Sequence, residues 1–432
     1  MTLSRRATRA VAAVSLTTLS ALLAACAANG ASGGSGGGGT LTFGVLMPFS
    51  GALAPDGIQT LNGCLTASYA INQAGGILGH KVACQENDTR SDPVDTVPAA
   101  QKMLSTTSNL AGVFGPDSGV AFAVTPMLQR AKMTMFSVAG DPVFDKNTDP
   151  YFYRLTPADD LAARSLAIYA KDRGFTRIAL VFTTDGSAQT NDPPLVAAAK
   201  ILGLKITANL QILADQSSYR SEVATLAASH PQAILTETDP QTTGTFFGEL
   251  AQAGGLTPMI VTAISLYPAW QTAIKTAIGQ SGMVKDVSTV VPYAAPTGKG
   301  WQLYAQYIKH APGTDPKQFT TDQYARSQYD GGVLMALAMT KAKSTVPAVY
   351  NKYITQIMTP GAGKTVVYSY AQGKQALAAG KSIQYIGAGG FLNLNKYHNV
   401  NGVFEIERWQ PSGGFKLVGA IPEQQIAAIN LR

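Results

Sequence analysis

The chain has 432 residues and a formal net charge of +7, and only 14% of its residues are charged. A surplus this small over this length excludes an extended nucleic-acid or polybasic membrane surface. The length exceeds what one ordinary hydrophobic core holds, so the sequence predicts two domains.

Residues 1–25 have the pattern of a secretory signal peptide. Arg5, Arg6 and Arg9 precede an apolar run over residues 11–23 that is too short to span a bilayer. Small residues then lead directly into Cys26, an order that resembles a bacterial lipoprotein signal. The resemblance implies cleavage before Cys26 and a lipid on its thiol; the alternative is an ordinary signal peptide with a chance cysteine. Cleavage would remove three arginines and no acids, taking the charge from +7 to +4.

Residues 26–39 are predicted to be a flexible tether. The stretch Ala27–Gly39 contains seven glycines and two serines and has nothing to bury. Two acyl chains would anchor such a tether stably, where one would be marginal. We therefore expect an extracytoplasmic globular body anchored to the cell membrane by lipidated Cys26.

Short β-branched or apolar runs alternate with helix-period segments along the body of the chain. This alternation predicts βαβ units and parallel sheets covered on both faces. The predicted strands are Leu41–Met47, Lys81–Glu86, Ala111–Phe114, Thr134–Val138, Arg177–Phe182, Lys205–Gln211, Ala233–Thr236, Met259–Thr262 and Val287–Val291. The predicted helices include Gly57–Gln73, Val94–Ser105, Ala121–Arg130, Asp160–Arg173, Tyr219–Ala228, Lys299–His310 and Thr321–Lys343.

Two interruptions of this rhythm predict where the domains are divided. Pro150–Pro157 breaks the alternation after the fourth strand, and the pattern changes to long helices near Pro292. Lobe one is expected to comprise residues 40–155 and 293–385, and lobe two residues 156–292 and 386–432. Val403–Trp409 and Phe415–Val418 have the composition of a terminal antiparallel pair.

Two cysteines remain once Cys26 is assigned to lipid. Cys64 falls in a predicted helix and Cys84 in the following strand, in an oxidising compartment where a disulfide persists. A bridge between them would be worth about 3 kcal/mol in the chain-entropy model. Two buried free thiols are the alternative. The four histidines are scattered without ligand spacing, so no metal site and no cofactor are expected.

Several segments of the chain carry a family resemblance, namely Phe43–Gly51, Ala70–Val82, Asp88–Pro93, Gly115-Pro116, Gln328–Gly331 and Phe391–Trp409. Taken together and in order, they resemble the type I periplasmic-binding-protein family, in its leucine/isoleucine/valine-binding branch. The resemblance runs from Leu41 to Val418. It implies two doubly wound α/β lobes joined by three crossovers, with a ligand cleft between them. It also implies a monomer that performs no chemistry and delivers a small molecule to the permease of an ABC importer.

The resemblance places one side of the binding site on the loops after the first strands. Ser118 matches the residue that holds a ligand carboxylate, and Asp117 or Gly119 could displace it because the loop is shorter here. A second carboxylate loop matches Ala139 and Gly140. Candidates from this side also include Asp56, at a position that is often aromatic, and Asp141. An aspartate in such a loop is otherwise a turn former or a helix cap.

On the opposite side, Ile264 occupies the position of the acid that usually receives an α-ammonium group. Asp239 or Asp185 could supply that charge instead. Ser187 and Ser265 are further candidates, because they follow strands at their carboxyl ends. Without the usual acid we expect a small polar metabolite, such as an amino acid, amide or organic acid, rather than leucine.

Two other functions compete with solute import. An extracellular ligand sensor of the same fold would signal through a membrane partner. A hydrolase on this fold is disfavoured because residues 40–432 contain no G-x-S-x-G elbow and no HExxH motif.

Overall fold

The computed structural model describes residues 38–51, 53–184, 186–293, 296–390 and 394–431. The predicted signal peptide, Cys26 and Asp185 lie outside the described residues. The first strand begins at Gly38, so Gly38 and Gly39 belong to the sheet rather than to the predicted tether. Within the described residues, no helix combines the length and apolar character needed to cross a membrane.

Fourteen strands lie in the described residues, and the nine predicted ones are confirmed among them. Their bounds are β1 Gly38–Met47, β2 His80–Asp88, β3 Leu110–Phe114, β4 Met135–Ser137, β5 Phe152–Arg154, β6 Arg177–Thr183, β7 Lys205–Ile212, β8 Ala233–Glu237, β9 Met259–Val261, β10 Val287–Tyr293, β11 Thr365–Val367, β12 Ile383–Tyr385, β13 Val403–Trp409 and β14 Phe415–Ile421.

Helices alternate with the strands of the described residues up to β10, except between β4 and β5, and five consecutive helices then precede β11. Their bounds are α1 Ala54–Gln73, α2 Pro93–Thr106, α3 Ser118–Arg130, α4 Asp159–Asp172, α5 Gly186–Ile201, α6 Arg220–Ala228, α7 Pro240–Gln252, α8 Pro268–Asp286, α9 Gly298–His310, α10 Pro316–Phe319, α11 Gln323–Ala342, α12 Pro347–Tyr350, α13 Lys352–Met358, α14 Tyr370–Ala378 and α15 Glu423–Ala428.

The first sheet is entirely parallel and has the order β2-β1-β3-β4-β5. Its last strand, β5, lies inside the segment Pro150–Pro157, for which the sequence predicts only a crossing between the domains. A strand of three residues is too short to show a strand pattern in the sequence. The order reverses between β1 and β3. In open α/β sheets such a switch point opens a crevice at the carboxyl ends of the strands.

The second sheet repeats this parallel order and adds an antiparallel pair. Its seven strands run β14-β13-β10-β9-β8-β6-β7, and those from β10 to β7 are parallel. The reversal now falls between β6 and β8. Strands β13 and β14 complete the edge as the predicted antiparallel pair. The prediction of two doubly wound α/β lobes is confirmed.

Each sheet is covered by apolar side chains on both faces. Phe43 of β1 belongs to the same core as Val333 of α11, so the long helices after β10 return to the first sheet. A separate core holds Leu235 of β8 together with Phe404 of β13. The predicted residue limits of the lobes stay a prediction that this packing supports.

The predicted disulfide is confirmed. Cys64 on α1 is bonded to Cys84 on β2, with the two Cα atoms 6.2 Å apart. The helix packs on its own sheet, which brings both residues into bridging range. The Ser68 hydroxyl lies 3.2 Å from the Cys84 sulfur on the same helix face. Cys84 lies in the middle of β2, four residues before the strand ends at Asp88.

The side chain of Asp330, on α11, is hydrogen-bonded to the last chain connection between the two sheets. Its buried carboxylate accepts hydrogen bonds from the Tyr385 hydroxyl and from the N–H groups of Ala388 and Gly389, each 2.8 Å long. A Cβ atom added to Gly387 would lie 2.0 Å from an Asp330 oxygen, so the loop passes directly over the carboxylate. This explains the aspartate in the segment Gln328–Gly331.

Candidate ligand cleft

A cavity of about 100 Å³ lies where the carboxyl ends of the two parallel sheets face each other. It is small beside the ~300–1,000 Å³ of sites for drug-sized ligands, so it suits a small solute. Apolar side chains and polar groups share its wall. The polar side chains that line it are Asp56, Gln59, Thr60, Asp117, Ser118, Asp159, Asn191, Glu237, Thr262, Tyr267 and Tyr324.

Asp117 closes the first-sheet side of the cavity at the start of α3. Aspartate is a preferred N-cap, and here its Oδ1 accepts a hydrogen bond of 3.0 Å from the Gly119 N–H. The residue is 6% exposed, and no described group donates to its other oxygen, Oδ2. Burial raises the pKa of Asp117 to about 6, although the Gly119 and Val120 N–H groups lower it.

Ser118 links two loops beside this carboxylate. Its hydroxyl oxygen accepts a hydrogen bond of 2.8 Å from the Gly140 N–H, which joins the loops after β3 and β4. The oxygen is therefore already engaged as an acceptor, whereas its proton can be donated. Ser118 lines the cavity as the sequence predicts.

Asp159 and Glu237 bring two carboxyl groups from the second-sheet side. Asp159 opens α4 and accepts a hydrogen bond of 2.5 Å from the Thr190 hydroxyl. Burial raises its pKa to about 7, while the Thr190 bond and the charge of Arg154 lower it. Glu237 ends β8 and accepts a hydrogen bond of 3.1 Å from the Asn191 side chain.

A hydrogen bond crosses the cavity between Asp56 and Tyr267. The Tyr267 hydroxyl, from the connection after β9, donates to the Asp56 carboxylate on α1. Burial raises the pKa of Asp56 to about 7; the bond from Tyr267 lowers it, and the nearby Asp117 and Asp322 raise it. This bond ties the carboxyl ends of the two sheets together.

Several predicted site residues do not line the cavity. Asp239 is the N-cap of α7 and accepts from the Gln241 and Thr242 N–H groups at 2.9 and 3.0 Å. Asp141 caps a short 3-10 helix, and the buried Ser265 hydroxyl donates to Thr289 at 2.6 Å. For both aspartates the alternative explanation, a helix cap, is the one that the structure supports.

The glycine and alanine candidates are placed behind the lining residues. Ala139 and Gly140 are buried, and a Cβ atom on Gly140 would meet Asp159 at 1.8 Å. The backbone N–H of Gly119 donates a hydrogen bond to the Asp117 carboxylate. Ser187 lies in α5, and its side chain is outside the description, as is Asp185. Of the ten ligand-site candidates, Ser118 and Asp56 line the cavity, as does Ile264 at the position of the missing acid.

Sequence reasoning missed Asp159, Glu237 and the aromatic pair Tyr267 and Tyr324. Acids in the first turn of a helix are common for electrostatic reasons, so Asp159 gave no sign of a second role. Glu237 carried a usable signal, because it directly follows the predicted strand Ala233–Thr236 at its carboxyl end. Within the described residues, no three His, Cys, Asp or Glu side chains are arranged so that they could hold a metal ion.

The comparisons with known proteins agree with this architecture. Residues 40–380 match the sequence profile described as periplasmic binding protein. The chain belongs to that family. The leucine-binding protein LivK of Thermotoga maritima has a TM-score of 0.71 at 14% identity, covering 88% of this chain and 99% of its own. A solute-binding protein of R. palustris in complex with benzoate reaches 0.66 at 17% identity, covering 88% and 96%.

Among curated proteins of the family, the Leu/Ile/Val-binding protein BraC3 of Rhizobium johnstonii is 34% identical over 144 residues. This match covers 33% of the present chain and 39% of that relative, so it spans less than half of the relative's length. The resemblance to type I periplasmic binding proteins and their leucine/isoleucine/valine branch is confirmed. These relatives are binding proteins, which agrees with the prediction that the chain is not an enzyme.

Proposed function

We propose that this chain is the extracytoplasmic solute-binding protein of an ABC importer. The observation that carries the proposal is the cavity at the facing carboxyl ends of two parallel sheets, lined by polar groups from both. Ligands of open α/β sheets bind at such switch points. Membership in the periplasmic binding protein family supports an extracytoplasmic location and delivery to a membrane permease.

Capture would occur by hinge closure between the two lobes. In that mechanism the bond from Tyr267 to Asp56 forms as the lobes meet, and the Asp330 carboxylate fixes one of the three connections about which they turn. The hinge segments would then fall near residues 155, 293 and 386, at the proposed lobe limits.

The proposal keeps three further predictions. Cys26 would carry the lipid that holds the protein at the membrane. The Ser118 hydroxyl would donate to the bound solute, because its oxygen already accepts from Gly140. Asp56 would contribute from the cavity wall, whereas Asp239 would act through the helix that it caps.

Uptake measurements test the importer function. A strain that lacks this chain should take up one member of a labelled panel, including arginine, putrescine, leucine and benzoate, more slowly than its parent. The wild-type gene and the control Thr272→Val, on the exposed face of α8, should restore uptake. The double variant Thr60→Val/Thr262→Val should raise the Kd by about 30-fold, from two lost hydrogen bonds to the solute worth ~1 kcal/mol each.

An unchanged uptake of every panel member would contradict the importer proposal. A solute-dependent change in transcription in the parent, absent from the deletion strain, would then favour the sensor function.

A further inference from the structure

The described side chains that line the cleft include acidic groups but no basic ones. Four carboxyl groups line the cavity, from Asp56 on α1, Asp117 before α3, Asp159 on α4 and Glu237 at the end of β8. None of the described lining residues is a lysine or an arginine. The internal gaps in the description, residues 52, 185, 294–295 and 391–393, also contain neither residue type in the sequence.

The nearest cations do not balance this charge. Arg154 lowers the pKa of Asp159 from behind the wall, but its guanidinium is ion-paired with Asp145 at 2.5 Å. It also donates to the carbonyl oxygens of Ala139 and Asp141, so it is fixed within the protein. Buried carboxylates are costly without a counter-charge. The cavity itself lacks one.

Three residues that line the cavity each have a buried polar atom without a hydrogen-bond partner among the described residues, and this observation is independent of the charge count. These atoms are the Thr60 and Thr262 hydroxyls and the Asp117 Oδ2 oxygen, in residues that are 1%, 5% and 6% exposed. Buried polar groups in native proteins are almost always hydrogen-bonded, so a donor that enters this cavity would satisfy Asp117 Oδ2. The atoms come from both sides of the cleft.

The position that would attract an anion is already filled. The N-terminus of α3 lies at the cavity wall, where Ser118 lines it, and a helix N-terminus stabilises negative charge. Here the Asp117 carboxylate itself supplies that charge, through its bond to the Gly119 N–H. A ligand carboxylate placed beside Ser118 would meet a second carboxylate instead of free N–H groups. This disfavours the organic acids that the sequence alone allowed.

From these observations we infer that the cleft binds a small solute with a net positive charge, an amine or guanidine, whose cationic nitrogen donates to Asp117 Oδ2. The inference rests on the proposed function and names its ligand class. Thr60 and Thr262 would bond the polar atoms of the same solute. Apolar side chains such as Val138 and Ile264 would contact its carbon chain.

Pairs of solutes that differ only in charge test this inference by calorimetry on the full-length protein purified in detergent. Putrescine is compared with 1,4-butanediol, and arginine with citrulline; agmatine, lysine, leucine and benzoate complete the panel. At least one cation should bind at least about 30-fold more tightly than its neutral counterpart. The neutral solute would leave the buried carboxylate without a partner of opposite charge, and this costs affinity.

Asp117→Asn is the decisive variant, because asparagine is an equally good N-cap and should preserve α3. It should weaken cation binding by about tenfold or more. Asp92→Asn is the matched control: Asp92 caps α2 through the Val94 N–H at 2.7 Å and does not line the cavity. Its affinity should equal that of the wild type.

Three results would overturn the inference: no cation of the panel binds, a neutral counterpart binds as tightly as its cation, or Asp117→Asn binds like Asp92→Asn. The importer function is judged separately by uptake, so tight binding and uptake of leucine or benzoate would reject the cationic ligand while leaving the importer in place.

Discussion

Replacing Asp330 with alanine should destabilise the protein although the residue lies outside the cleft. The substitution leaves three donors without their acceptor, namely the Tyr385 hydroxyl and two backbone N–H groups. Each buried donor left unsatisfied costs ~1–3 kcal/mol, which gives a gross loss of ~6 kcal/mol.

A second effect opposes this loss. Burial raises the pKa of Asp330 from 3.8 to about 6, while its three hydrogen bonds and the charge of Arg326 lower it. A rise of two pKa units corresponds to ~3 kcal/mol that the folded protein spends at neutral pH to keep the group ionised. Alanine removes this cost. The net decrease in the free energy of unfolding is therefore ~3 kcal/mol near neutral pH.

Urea denaturation of the purified protein measures this decrease. Asp315→Ala is the control, because Asp315 also accepts from two backbone N–H groups, at 3.0 and 3.3 Å, but lies exposed at the start of α10. It should lose only ~1 kcal/mol, as for a helix cap. Gly387→Ala should destabilise through the same contact, since its Cβ atom would displace the Asp330 carboxylate. Equal stability of Asp330→Ala and Asp315→Ala would refute the reasoning.

Three further predictions concern the anchor, the disulfide and the titrating carboxyls. Cys26→Ala should move the protein from the membrane to the soluble extracytoplasmic fraction and abolish fatty-acid labelling; retention with label would contradict lipidation. Replacing Cys64 and Cys84 together by alanine should lower the free energy of unfolding by ~3 kcal/mol and leave solute affinity unchanged, because neither cysteine lines the cavity. Burial raises the pKa of Asp56 and Asp159 from 3.8 to about 7, so the unfolded chain releases these protons first. Stability without ligand should therefore fall as pH rises from about 4 to about 7, and a thermal midpoint that climbs over that window would be the opposite result.

The fold was accessible from sequence because its signals are local and repeated. The β1 and β6 runs, each followed by a helix-period segment, define βαβ units wherever they occur. The strands that were missed, β5, β11 and β12, have three residues each, which is too short for a period to show. The position of each of these strands depends on pairing with another strand that is distant in sequence or already part of a sheet.

The site was only partly accessible, because its two walls come from segments far apart in the chain. Loop position and family resemblance found Ser118 and Asp56. They did not show that Glu237 lines the cavity whereas Asp239, two residues later, does not. Asp239 is the N-cap of α7, while Glu237 lies at the end of β8 and lines the cavity. That distinction depends on where the strand ends, which sequence patterns place least accurately.

A crystal structure of the full-length protein with the tightest-binding solute of the panel tests the central claim most directly. The solute should lie between the carboxyl ends of the two sheets, with a donor atom about 3 Å from Asp117 Oδ2 and polar contacts to Thr60 and Thr262. A solute bound elsewhere, or one in this cleft that leaves those three atoms without partners, would contradict the account.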